Sequence, residues 1–143
     1  MAWIQENMTT IIIAFVLIFL LFKGVILGKI FGVKSMSPEE LKRRLGDANS
    51  PITLIDVRTP GEFNQAHIKA SHSMPLGSVG ELIKSQGLDQ PNRPIAVICA
   101  SGSRSMLAAT QLKRMGLDPV YNISGGISAW QRRGFEVQTG NGR

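Results

Sequence analysis

A single cysteine followed by a loop of small residues is the feature of this sequence best suited to chemistry. Cys99 is the only cysteine, and it directly follows residues 94–98, an apolar run typical of a buried strand. The next residues are Ala100, Ser101, Gly102, Ser103 and Arg104. Small residues let the backbone curl so that successive N–H groups point inward and form an anion-binding nest. The predicted helix that follows directs its positive end at the same place, so we expect the loop to stabilise negative charge.

Both features favour the thiolate of Cys99 over the thiol, and the thiolate is the nucleophilic form of cysteine. Arg104 adds a fixed cation whose planar guanidinium suits an oxyanion substrate. A buried structural cysteine is the alternative, because cysteine packs like a small hydrophobe. A structural cysteine needs neither a glycine-bearing loop nor an arginine five residues later, so the pattern favours a nucleophile.

Predicted strands and helices alternate around this loop and must position it. We predict strands at residues 52–57, 70–74, 94–98 and 119–123, and helices at residues 37–45, 79–86, 104–115 and 126–133. This alternation, with short loops, implies right-handed crossovers and an α/β fold with a small parallel sheet covered by helices on both faces. Cys99 then lies at the carboxyl end of a parallel strand, where open α/β sheets bind their ligands.

Two helix starts share the same three signals. Ser37 and Thr59 can each cap a helix, and each is followed by a proline suited to the first helical position. Three residues later stand Glu40 and Glu62, which would complete a capping box in each case.

The length and charge of the chain exclude several classes of protein. With 143 residues, the chain holds one compact domain rather than a multidomain enzyme. Its net charge is +6, but the basic residues are scattered or paired near predicted helix ends, and no basic stripe is interleaved with aromatic residues. We therefore expect no nucleic-acid partner. A lone cysteine also excludes an intramolecular disulfide and any multi-cysteine metal site, and we expect no metal and no organic cofactor.

The N-terminal segment, residues 1–34, is predicted to be a transmembrane anchor and linker ahead of a domain over residues 35–143. Residues 8–27 are almost entirely apolar, and a helix of that length spans about 30 Å, the thickness of a bilayer core. A cleavable signal peptide is the alternative, but the segment lacks a basic start and a small-residue cleavage pattern. The three nearby lysines, Lys23, Lys29 and Lys34, lie on the C-terminal side of the segment, so we expect the domain to face the cytoplasm.

Three glycines at the end of this segment allow two interpretations. Gly24, Gly28 and Gly32 share one helix face, and small residues at this spacing permit the close helix contact of a homodimer. The alternative is a flexible joint between the anchor and the domain.

The spacing Cys-x-x-Gly-x-Arg after a buried strand resembles the active-site loop of rhodanese-like sulfurtransferases. Three further segments occur in the order that the family has them: residues 54–63, His67-Ile68 followed by Met74-Pro75, and Gly125-Gly126 with Trp130. Several motifs in the right order are far more specific than one. With its anchor, the whole chain resembles a bacterial, membrane-anchored, single-domain rhodanese, which implies a place in the inner membrane with the domain facing the cytoplasm.

The resemblance also implies roles for individual residues. Cys99 would form a persulfide, and the backbone from Ala100 to Arg104 would cradle the transferred sulfur and substrate oxygens, with Arg104 as the charged contact. Asp56 and Arg58 would support the site at the edge of the sheet, and Glu62 would pair with an arginine. Alternatively, Asp56 and Arg58 only cap turns and Glu62 only caps its helix.

Loop length bears on the choice of chemistry. Phosphatases that share this fold have five residues between cysteine and arginine, whereas this sequence has four, and Ser105 stands where the longer loop needs its arginine. The resemblance therefore implies transfer of a sulfane sulfur from a small donor, such as thiosulfate, to a thiol or protein acceptor. A non-catalytic docking module for membrane proteins is the alternative function, and a redox-sensing thiol is a weaker one, because no second cysteine is present to resolve it.

Overall fold

Five parallel strands form one sheet. The computed structural model describes residues 2–141, except for the side chains of residues 2, 4–6, 24, 25 and 27. The strands are β1 (Lys34–Met36), β2 (Thr53–Asp56), β3 (Ser71–Ser73), β4 (Ile95–Ile98) and β5 (Val120–Ile123). Their order across the sheet is β1-β5-β4-β2-β3. The prediction of an α/β fold with a parallel sheet is confirmed.

The helices are α1 (Ala2–Ile30), α2 (Pro38–Leu45), α3 (Pro60–Gln65), α4 (Val79–Ser85), α5 (Ser103–Arg114) and α6 (Gly126–Arg132), with a 3₁₀ turn at Leu76–Ser78. Thr59 and Glu62 form the predicted capping box at the start of α3. At α2, the Ser37 hydroxyl accepts from the backbone N–H of Glu40 as expected. The Glu40 carboxylate, however, accepts from two nearby arginine side chains instead of completing the box.

Two apolar layers enclose the sheet. Every residue of β2 and β4 is buried, because the strands have helices on both sides. One layer packs Val97 against Ile83 of α4 and Leu112 of α5. The other layer contains Leu41 of α2 and Trp130 of α6. Strands β2 and β4 are therefore packed on both faces, and their carboxyl ends lie at the candidate site.

The sheet begins earlier than expected. Residues 1–34 are expected to be anchor and linker, but Lys34 already belongs to the edge strand β1 (Lys34–Met36), in which Lys34 pairs with Tyr121 and Met36 with Ile123. A strand of three residues is too short to show the alternation by which strands are identified in sequence.

The apolar residues 8–27 lie within a single helix, α1. Among the residues that the structure describes, no helix is long and apolar enough to cross a membrane, so the transmembrane prediction is not supported. The end of α1 packs on α5. Gly28 is buried, and a Cβ at this position would collide with the sulfur of Met106.

The other two glycines of the proposed helix face add no evidence for a homodimer. Gly32 has a φ of +74° and lies beyond the end of α1. The surroundings of Gly24 lie outside the described residues. The homodimer therefore stays a prediction, while the close contact at Gly28 is made within the chain.

Candidate active site

The candidate site lies at the carboxyl edge of the sheet, where β4 ends at Cys99. Strand β4 is flanked by β2 and β5, so the residues that follow these strands surround the sulfur. Cys99 is fully buried. The loop that follows runs directly into α5, which begins at Ser103, while Ser101 is exposed to solvent.

Gly102 shapes the loop. Its φ of +108° is a conformation that residues with a Cβ rarely adopt, so glycine is needed here. The backbone N–H of Gly102 donates to Cys99 Sγ at 3.1 Å. Its carbonyl points away and accepts from the Asn122 side chain and from the N–H of Met106, both at 3.2 Å. The loop therefore directs an N–H at the sulfur, as the predicted nest requires, and the first N–H groups of α5 lack partners within their own helix.

The first turn of α6 fixes the other side of the loop. The N–H of Ile127 donates to the Cys99 carbonyl at 2.8 Å, and the N–H of Ser128 donates to the Ala100 carbonyl at 3.1 Å. Gly126, with a φ of +59°, permits this approach, because a Cβ there would collide with the Cys99 carbonyl and lie 2.6 Å from the Ala100 carbonyl oxygen. The carbonyls of Cys99 and Ala100 are therefore bound by the first turn of α6, on the outside of the loop.

Arg104 is held by Glu62 at the rim of the site. The two terminal nitrogens of Arg104 each donate to one Glu62 oxygen at 2.8 Å, and both side chains are about one third exposed. The Arg104 guanidinium lowers the pKa of Glu62 to about 2, with help from Thr59 and against partial burial. The carboxylate in turn raises the pKa of Arg104. Glu62 therefore both caps its helix and fixes the cation beside the loop.

Asp56 and Arg58 form a buried ion pair that supports α3. Arg58 Nη2 donates to Asp56 Oδ2 at 2.6 Å, and the side chains are 5% and 1% exposed. Arg58 also donates to the carbonyls of Glu62 and Ala66 at the end of α3. The Asp56 carboxylate accepts from the backbone N–H of Arg58, as a turn cap would. This pair acts on the loop through α3, which carries Glu62.

Two residues that contact the site, Ser105 and Asn122, have no role predicted from the sequence. Ser105, fully buried in the first turn of α5, places its hydroxyl 3.2 Å from Cys99 Sγ. The same hydroxyl lies 2.5 Å from Asn122 Oδ1 on β5. A polar residue within the buried run of residues 120–123 was a signal that could have pointed to Asn122. The serine that directly follows Arg104 carried no comparable signal.

A cavity of about 370 Å³ adjoins the loop. One wall is made by Ser101, Gly102 and Ser103, and apolar residues of α1 and α5 form much of the rest, among them Leu20 and Met106. Its volume is within the range of small-molecule sites. There is therefore space for a small molecule beside three of the predicted substrate-binding residues, Ser101, Gly102 and Ser103, whereas Cys99 and Arg104 are not part of the cavity lining.

This fold and this loop define a family. The rhodanese-like domain model matches residues 37–133, and the chain belongs to that family. A sulfurtransferase from Allochromatium vinosum is 34% identical over 106 residues, which are 73% of this chain and 94% of that protein. The thiosulfate sulfurtransferase GlpE of Vibrio cholerae is 32% identical over 85 residues, which are 59% of this chain and 77% of that protein. These relatives support a role in sulfur transfer.

A solved structure from Rhodopseudomonas palustris has a similar fold. That protein is described as being of unknown function and as a possible tyrosine phosphatase. It is 26% identical, with a TM-score of 0.69, over 78% of this chain and 91% of its own. The roles of the individual site residues rest on the geometry of this chain and stay predictions.

Proposed function

We propose that the protein is a sulfurtransferase that carries a sulfane sulfur as a persulfide on Cys99, with thiosulfate as a donor. The observation that carries the proposal is the environment of Cys99 Sγ, which accepts from the Gly102 N–H and lies within hydrogen-bond distance of the Ser105 hydroxyl. These donors are held in place before reaction, so they stabilise negative charge on sulfur without reorganisation.

In the first step, the Cys99 thiolate attacks the outer sulfur of thiosulfate. A bond forms between the two sulfurs, the sulfur–sulfur bond of thiosulfate breaks, and its electron pair leaves with sulfite. The product is Cys99 persulfide, with the negative charge on its outer sulfur. The partly exposed guanidinium of Arg104 attracts the dianionic donor.

In the second step, the thiolate of an acceptor attacks the outer sulfur of the persulfide. The bond to Cys99 Sγ breaks, and the electron pair returns to Sγ as a thiolate. The acceptor leaves as a persulfide, and the enzyme is restored. The Gly102 N–H that donates to Sγ stabilises this leaving group.

Loop length supports sulfur transfer over phosphate hydrolysis. The first turn of α5 carries Arg104 next to Ser105, and Ser105 is buried against the sulfur rather than facing a substrate. An arginine at position 105 would have to fill this buried place. A loop shorter by one residue encloses less space, which favours one extra sulfur atom on Sγ over a tetrahedral phosphate.

Turnover with thiosulfate and cyanide tests the proposal. The full chain should form thiocyanate and sulfite in equal amounts, and the Cys99→Ser variant, which has no thiol, should form none. An active Cys99→Ser variant would overturn the mechanism. A correctly folded wild-type chain without turnover would instead favour the alternative of a docking module.

A further inference from the structure

A buried hydrogen-bonded chain connects β5 to the nucleophile. Asn122 Nδ2 donates to the Gly102 carbonyl, which leaves Asn122 Oδ1 to face Ser105. The Ser105 hydroxyl lies between Oδ1, at 2.5 Å, and Cys99 Sγ, at 3.2 Å. Ser105 is fully buried and Asn122 is 7% exposed, so bulk water does not substitute for these partners.

The Ser105 hydroxyl has one proton and two acceptors. When Cys99 is a thiolate, the hydroxyl donates best to the charged sulfur, because charge-assisted hydrogen bonds are the stronger ones. When Sγ carries no charge, as a thiol or as the inner sulfur of a persulfide, the hydroxyl donates to Asn122 Oδ1. Turning the hydroxyl moves no proton off Ser105 and breaks no covalent bond.

We infer that Asn122 is a positioning residue. Its Oδ1 accepts the hydrogen bond of the Ser105 hydroxyl whenever Cys99 Sγ is uncharged, and it competes for that hydrogen bond with the Cys99 thiolate. This inference rests on the proposed function for its role in turnover. During the first step, charge moves from Sγ to the outer sulfur, and Asn122 receives the hydrogen bond that Sγ no longer needs. During the second step the hydroxyl turns back as Sγ becomes a thiolate.

The consequence is that Ser105 and Asn122 have opposite effects on the thiolate. Removing the Ser105 hydroxyl removes a donor to the thiolate. Removing the Asn122 acceptor leaves that hydroxyl with sulfur as its one remaining side-chain partner among the described residues, which destabilises the thiol. A merely structural role for Asn122 predicts no such opposition.

Charged groups also face this loop from the neighbouring elements. They are Arg104 on α5, Glu62 on α3, Asp56 and Arg58 at the end of β2, and Lys23 on α1, which lines the adjoining cavity. They are common to the wild type and to variants of Ser105 and Asn122. Differences between these proteins therefore report the hydroxyl and its acceptor, provided that the variants remain folded.

The test is the pH dependence of alkylation of Cys99, the only thiol, by iodoacetamide in the full chain. Ser105→Ala should raise the pH at which the alkylation rate is half-maximal, and Asn122→Leu should lower it. Each shift should be about 0.7 pH unit, as expected for the loss of one hydrogen bond. In the double variant, Asn122→Leu should have no further effect on Ser105→Ala. A rise or no change in Asn122→Leu, or a shift that persists without Ser105, would overturn the inference.

Asn122→Asp provides a second test if Asn122→Leu does not fold. The carboxylate is a stronger acceptor and should raise the midpoint, and the rise should be smaller when Ser105 is alanine. An equal rise in both backgrounds contradicts the inference. Alkylation does not depend on sulfur transfer, so a chain that transfers sulfur without these shifts overturns the inference alone. A chain with the shifts but without transfer overturns only the proposed function.

Discussion

Glu62 holds Arg104 by both terminal nitrogens of its guanidinium, each 2.8 Å from one carboxylate oxygen. The two residues are 42 positions apart and belong to α3 and α5. Their ion pair joins the helix after β2 to the helix that follows the Cys99 loop. The cation at the rim of the site therefore has a defined position before any substrate binds.

The Glu62–Arg104 pair should make stability depend on pH in the acid range. Because the pKa of Glu62 falls from 4.5 to about 2 on folding, its contribution is complete above pH 4.5 and is lost as the pH falls towards 2. The difference in free energy of unfolding between the wild type and Glu62→Gln should shrink across this window. Urea unfolding at several pH values measures it, and a difference that grows on acidification would refute the assignment.

Arg104→Gln should lower kcat/KM for thiosulfate by about tenfold, the worth of a charged hydrogen bond. This variant also leaves the Glu62 carboxylate unpaired beside the loop, which repels an anionic donor. The double variant Glu62→Gln/Arg104→Gln removes that repulsion. If Arg104 contacts the donor, the double variant stays impaired; recovery to the wild-type value would show that Arg104 only neutralises Glu62.

Gly126→Ala should damage both stability and activity, because the new Cβ collides with the loop carbonyls of Cys99 and Ala100. Gly134→Ala is the matched control, since Gly134 has a similar positive φ, +71°, but open space around it. We expect the control to lose about 1 kcal/mol through backbone strain. Gly126→Ala should lose about 2 kcal/mol more and at least about tenfold in kcat/KM.

These two glycine variants are compared by urea unfolding and by turnover with thiosulfate. Equal losses in both measurements would mean that the approach of α6 to the loop has no special effect.

Arg58→Met should lower the free energy of unfolding by about 3 kcal/mol, because it leaves the buried Asp56 carboxylate without its cation. Adding Asp56→Asn should recover part of this loss, since no buried charge then remains. Denaturant unfolding of both variants provides the measurement. A double variant less stable than Arg58→Met would show that the charge of Asp56 is not the cause.

Local sequence patterns predict the scaffold of the site, but they do not predict its contacts between residues that are distant in the sequence. The apolar run before Cys99, the glycine in the loop and the cap of α3 are all signalled by neighbouring residues. Strand β1 has only three residues at the sheet edge, too few for a pattern. The residues next to Cys99 are enough to predict a reactive cysteine at the end of a strand. The contacts that position this cysteine come from other parts of the chain, and the local pattern does not predict them.

Contacts between distant residues explain the remaining differences. Ser105 and Asn122 are 17 positions apart, and their pairing depends on β5 lying beside β4. Glu62 was expected to pair with an arginine, but which one depends on how α3 and α5 pack. Packing also explains Gly28, whose place against Met106 is set by tertiary structure rather than by the spacing of glycines.

The mass of the full chain after incubation with thiosulfate tests the central claim most directly. We expect one sulfur, a gain of about 32 Da, on the peptide that contains Cys99, and its removal by cyanide. The Cys99→Ser variant should gain nothing under the same conditions. A folded wild-type chain that stays unmodified, or a variant that gains the same mass, would contradict the claim that Cys99 carries the sulfur.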